Sequence, residues 1–160
     1  MSTIISDPEQ ATYDLQGDTL ADVAEKITGM DEAAKAEWFP QYSYTSTGQQ
    51  LATAEVTVST KITMPRWPGC ASAPDADQGE WRRFLAALQA HEQGHLDLVL
   101  QHLSNIDERL VRQSPAGARR VWDDALGALQ SASDSYDRDT DHGRNQGTII
   151  EVGGAVPDGG

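Results

Sequence analysis

Residues 91–95 read His91-Glu92-Gln93-Gly94-His95: two histidines four apart, with a glutamate directly after the first. On an α-helix, residues i and i+4 lie one turn apart on the same face, so both imidazoles can reach one ion. Imidazole nitrogens bind Zn²⁺ at about 2.0–2.1 Å. Glu92 projects beside them, placed to take a proton from water at the ion rather than to ligate it. Zinc with three protein ligands keeps a fourth position open for that water and lowers its pKa to about 7. The expected cofactor is therefore Zn²⁺, with His91 and His95 as ligands and Glu92 as general base.

The helical period supports this. With Trp81, Phe84, Leu85, Leu88 and Val99 defining an apolar stripe, His91, Glu92 and His95 fall on the stripe and not opposite it. Buried polar groups are costly without partners, and one metal accounts for all three placements together.

A third ligand must come from elsewhere. His102 lies seven residues beyond His95, about 10 Å along a continuous helix, and cannot share its ion. The metzincin spacing would put Gly at position 98 and His at 101, where this chain has Leu98 and Gln101. His142 is favoured, in Tyr136-Asp137-Arg138-Asp139-Thr140-Asp141-His142-Gly143. An antiparallel return of about 20 helical residues carries that stretch back beside His91. A carboxylate from Asp134, Asp137, Asp139 or Asp141 is the alternative. These aspartates are otherwise expected to accept a hydrogen bond from a ligand's far N–H. Tyr136 is a candidate donor to a developing oxyanion, and so a second catalytic residue beside Glu92. A carboxylate-bridged di-iron site is excluded: Glu92-x-x-His95 is half of its pairing, and no second Glu-x-x-His occurs.

The elements that must position these groups follow from the same reading. Residues 11–15 have strand composition. Asp18 or Thr19 caps a helix to about Thr28, and Gly29 stops it. Residues 33–40 are ambiguous, 41–45 suit a strand, and 52–64 alternate as a strand does, with a phase slip near Thr60 that suggests a bulge. Residues 65–79 hold Pro65, Pro68, Gly69, Pro74 and Gly79 and read as a loop, with Asp77 as helix cap. One long helix is expected from about Glu80 to Leu110 and a second from Pro115 to Tyr136. Strands first and helices after predict an α+β domain. The expected boundaries are an N-terminal segment 1–10, the domain at 11–150 and a flexible tail at 151–160.

The chain has 160 residues, about one domain. Twelve basic against 25 acidic residues give a net charge of −13, which argues against nucleic acid and anionic membranes as partners. The one cysteine, Cys70, excludes an internal disulfide. No signal peptide and no membrane span are visible, so the expected compartment is the cytoplasm, or secretion if a leader has been trimmed.

Several pieces in order resemble a bacterial family of unknown function described as predicted secreted zinc-dependent proteases. They are Ala54-Glu55-Val56-Thr57-Val58, Met64-Pro65-Arg66-Trp67, Trp81-Arg82-Arg83-Phe84, His91 to Leu98 and Tyr136 to Gly143, spanning roughly residues 11–146. The resemblance implies a zincin-like fold, a small twisted sheet on a long H-E-x-x-H helix with a second long helix. It also supports His142 as third ligand.

The expected function is a zinc metallohydrolase acting as a peptidase, with Glu92 passing the proton on to the leaving amine. A strand within 52–64 is expected to receive an extended peptide by strand addition. The alternatives are a zinc enzyme acting on a small molecule in a biosynthetic pathway and a non-catalytic zinc-binding interaction module. Oligomeric state is not legible.

Overall fold

The computed structural model describes residues 2–152. Four strands and four helices form one α+β unit: β1 Ser2–Ile5, β2 Glu9–Asp14, α1 Leu20–Thr28, β3 Lys35–Thr47, β4 Gln50–Arg66, α2 Asp75–Leu103, α3 Ile106–Leu110 and α4 Pro115–Asp139. Single 3₁₀ turns lie at Pro68–Ser72 and Arg144–Gln146. No helix among the described residues is long and apolar enough to cross a membrane. Of the expected tail, residues 153–160 lie outside the described residues.

β4 organises the sheet. β3 runs antiparallel along one edge of it, from Thr47 opposite Gln50 to Lys35 opposite Thr63. β1 (opposite Glu55–Val58) and β2 (opposite Lys61–Arg66) are parallel to β4 and share its other edge end to end. The sheet therefore begins at Ser2, inside the segment expected to precede the domain. The ambiguous residues 33–40 are largely the start of β3. β4 is paired on both edges, so it cannot receive a peptide as expected of residues 52–64.

The alternation of β4 is unbroken from Ala54 to Met64: Ala54, Val56, Val58, Thr60, Ile62 and Met64 face the helices and are buried, and Leu51, also buried, lies one residue out of phase across the register shift. The bulge expected near Thr60 is absent, and the register irregularity lies at Thr45/Ser46 instead. Thr60 breaks the apolar series because β1 hands over to β2 there. Its hydroxyl donates to Ser6 O (3.0 Å), and its N–H donates to Ser6 Oγ (3.2 Å), in the gap between the two short strands.

The helices start and stop for local reasons. Thr19 caps α1 in a reciprocal capping box with Asp22. α2 starts at Asp75, before the expected cap Asp77, which sits in its first turn. It ends at Leu103, because Asn105 takes a left-handed conformation (φ 62°). The one helix expected to Leu110 is thus two. Ser114 Oγ accepts from Gly117 N (3.0 Å) and Pro115 opens α4. α2, α3 and α4 lie against the sheet with Phe84, Val99, Leu103, Ile106, Leu110 and Leu129 fully buried. Truncating a residue such as Phe84 would cost about 3–5 kcal/mol.

Candidate metal centre

The stripe of α2 delivers its polar residues to the interior: His91, Glu92 and His95 are 5%, 5% and 7% exposed. α4 returns antiparallel to α2, and its face continues Trp122, Ala125, Leu129 into Ser133, Tyr136 and Asp137. Ser133 reaches His95, and Asp137, one turn later, reaches both histidines.

Three atoms converge. Asp137 Oδ1 lies 3.1 Å from His91 Nε2 and 2.9 Å from His95 Nε2. Among the described residues, His91, His95 and Asp137 form the one group of histidine, cysteine or carboxylate side chains whose ligand atoms cluster tightly enough to hold an ion. The far nitrogens are held as well: His91 Nδ1 by Gln146 Oε1 (2.7 Å) and His95 Nδ1 by Ser133 Oγ (2.7 Å). When both Nδ1 atoms donate, the two Nε2 lone pairs face a carboxylate oxygen, three acceptors without a donor between them. That donor set suits a divalent cation of zinc's ligand preference.

Glu92 stands beside this cluster without joining it. Burial, with the charges of Glu32 and Asp137 behind it, pushes its carboxyl up to about 7, against a donated Ala36 N–H that favours the anion. Burial lowers His95, partly opposed by Asp137, and so favours neutral imidazole. Burial raises Tyr136, which keeps its phenol protonated.

Tyr136 packs between the two histidines, stacked on His91 (centroids 5.0 Å) and edge-on to His95 (4.8 Å). Its hydroxyl donates to His91 O (3.1 Å) and accepts from Gln146 Nε2 (3.0 Å). Tyr136 lines neither cavity at the site, so its hydroxyl is engaged inside the scaffold and not aimed at the cleft as an oxyanion donor would be.

His142 follows α4 in a left-handed conformation (φ 55°) and is exposed. It lines the same cavity as His91, His95 and Asp137, but its nitrogens are not part of the three-atom cluster. His102 is on α2 away from the site. Asp137 is one of the four aspartates that the sequence offers as alternatives to His142. The partners of the two Nδ1 atoms are Gln146 and Ser133, where the spacing pointed to the aspartates. For Ser133 a signal existed: like His91 and His95, it is a polar residue on its helix's apolar stripe.

Two cavities flank the cluster and share Glu32, Glu92, His95 and Asp137. The larger, about 490 Å³, is walled by Ile27, Met30, Leu88 and Ile150. The smaller, about 310 Å³, opens along β3 past Ala36, Trp38 and Phe39. β3 has no second strand partner among the described residues.

Residues 10–143 match the bacterial family of unknown function DUF922, and the chain belongs to that family. No curated protein and no solved structure matches it.

Proposed function

We propose that the chain is a zinc-dependent hydrolase of zincin-like build, with peptides as substrates. His91, His95 and Asp137 hold the metal and Glu92 is the general base. One observation carries the reading: a carboxylate oxygen of Asp137 within 3.1 Å of two imidazole nitrogens, beside a buried glutamate. Bound zinc would supply a Lewis acid and a hydroxide equivalent near neutral pH. Glu92, pushed up to about 7, is suited both to accept a proton from water and to return it to a leaving amine.

The open edge of β3 supports a peptide substrate. Ala36 N–H turns away from β4 towards Glu92, so by alternation Trp38 and Pro40 share that outward set. Pro40 has no N–H to offer, which limits strand addition to the stretch ahead of it, alongside the metal cluster. A cavity of about 490 Å³ also falls in the range of small-molecule sites, which keeps a small-molecule substrate as the second reading.

The test is metal analysis of purified protein, with hydrolysis of peptide libraries by wild type and Glu92→Gln. Zinc near one equivalent in both, with hydrolysis lost in the variant, is expected. Equal hydrolysis by the variant removes Glu92 from the mechanism. Turnover of metabolites without peptide cleavage selects the second reading. Zinc without any turnover selects a binding module.

A further inference from the structure

We propose that Gln146 is a positioning residue whose side-chain amide locks His91 in the tautomer a metal needs. The purpose of that lock rests on the metal-binding reading above; the lock itself rests on hydrogen bonds alone.

Three bonds close a circuit that starts and ends on His91. Tyr136 Oη lies 3.1 Å from the His91 carbonyl and 3.4 Å from Gln146 Oε1, both of which only accept, and the phenol donates to the nearer. Its remaining capacity is then to accept, and the group 3.0 Å away is the amide nitrogen of Gln146, which only donates. That fixes the orientation of the amide. Its carbonyl oxygen is turned to His91 Nδ1 at 2.7 Å and can only accept. A neutral His91 that donates at the shorter of its two contacts carries its proton on Nδ1, leaving the Nε2 lone pair facing Asp137 at 3.1 Å.

His95 has no such constraint. Its Nδ1 partner is the Ser133 hydroxyl (2.7 Å), which can donate or accept and so serves either tautomer. One imidazole is thus preset and the other adaptable.

The chain beyond α4 is shaped to deliver Gln146. Asp141, His142, Gly143 and Gly147 all have positive φ, and they fold residues 141–147 into a tight hook. Gly143 lies against the His91 ring, where a β-carbon would meet Cγ at 3.0 Å. The hook is stapled to α2: Arg83 donates to Gly147 O (2.9 Å) and Ile149 O (2.5 Å), and its guanidinium is held by Glu80. Glu80 also accepts from Glu151 N (2.7 Å). Gln146 lies outside the residues matched to the family, which end at 143.

The experiment reads imidazole tautomers directly, by long-range ¹H–¹⁵N correlation on metal-free protein at about pH 9. Wild-type His91 is expected as the Nδ1–H form. Gln146→Leu is expected to move it towards Nε2–H. Gln146→Glu, which keeps an acceptor, is expected to retain Nδ1–H, and Asn145→Ala in the same hook to change nothing. Circular dichroism of each variant checks that the fold is kept. By chelator competition, zinc affinity is expected to fall about 10–100-fold in Gln146→Leu and to be largely retained in Gln146→Glu. Unchanged Nδ1–H at His91 in Gln146→Leu overturns the proposal. A wild type that binds no zinc overturns the metal reading instead, and the tautomer measurement still decides the role of Gln146.

Discussion

The phenol of Tyr136 fills the space that a β-carbon on residue 94 would need, so the glycine inside His91-Glu92-Gln93-Gly94-His95 is what lets α4 dock against α2 at the site. A methyl there would meet the phenol oxygen and two ring carbons below any normal contact distance. Gly→Ala in a helix interior ordinarily stabilises by about 1 kcal/mol. Here the overlap opposes it, and forcing a group into a packed site costs about 1–3 kcal/mol. Because the ring is wedged between two histidines, the overlap is expected to win. Gly94→Ala should lower both melting temperature and zinc affinity. Adding Tyr136→Ala should relieve the strain, so a double-mutant cycle should show strong coupling. Additive effects would mean that the ring moves aside freely.

The third ligand separates cleanly by mutation. Asp137→Asn is expected to lower zinc affinity by orders of magnitude, since it replaces the anionic carboxylate facing both imidazoles with a neutral amide. His142→Ala, which alters an exposed residue of the cavity wall, is expected to leave zinc stoichiometry unchanged. The reverse pattern in an equilibrium-dialysis titration would assign the metal to His142.

The buried Glu92 predicts a pH dependence of stability in metal-free protein. Its folded-state value is raised from 4.5 to about 7, so the fold favours the protonated form. The penalty is absent below about pH 4.5, grows through the interval and is complete above about 7. At about 1.4 kcal/mol per pKa unit the whole effect is on the order of 3 kcal/mol. Glu92→Gln carries no such charge. Its melting temperature should exceed that of wild type by more at pH 8 than at pH 5. A difference independent of pH would show that Glu92 is not held out of water.

Arg83 tests the staple of the hook. Its guanidinium is exposed and pairs with a half-buried Glu80, so Arg83→Ala is expected to cost about 1 kcal/mol of global stability or less. Its loss nevertheless frees two carbonyls of the hook. Limited proteolysis within residues 141–152 should therefore accelerate while the melting temperature hardly moves. Equal cleavage rates would place the anchoring of the hook elsewhere.

The α+β class, the H-E-x-x-H helix and the strand at 52–64 were legible because each rests on a period that neighbouring residues impose. Burial of His91, Glu92 and His95 was legible for the same reason: a helix that faces a core with Phe84, Leu88 and Val99 must carry them inward. The break at Asn105 was not, since left-handed asparagine leaves no mark on the apolar pattern around it. Neither was the handover from β1 to β2 at Thr60, which resembles a phase slip until Ser6 is seen filling the gap.

Local spacing alone named two histidines and a glutamate and put them on one helical face, because a 3.6-residue period leaves no other geometry. It could not choose among the residues after the second helix. Asp134, Asp137, Asp139, Asp141 and His142 lie within nine positions, and their chemistry is adequate for a ligand at each. The choice depends on how far α4 slides and rotates against α2. Gly94 and the Tyr136 ring set that docking, and it brings Asp137 within 3.1 Å of both imidazoles while His142 stays on the exposed cavity wall. Contacts between distant segments are a property of packing, which no spacing within one segment encodes.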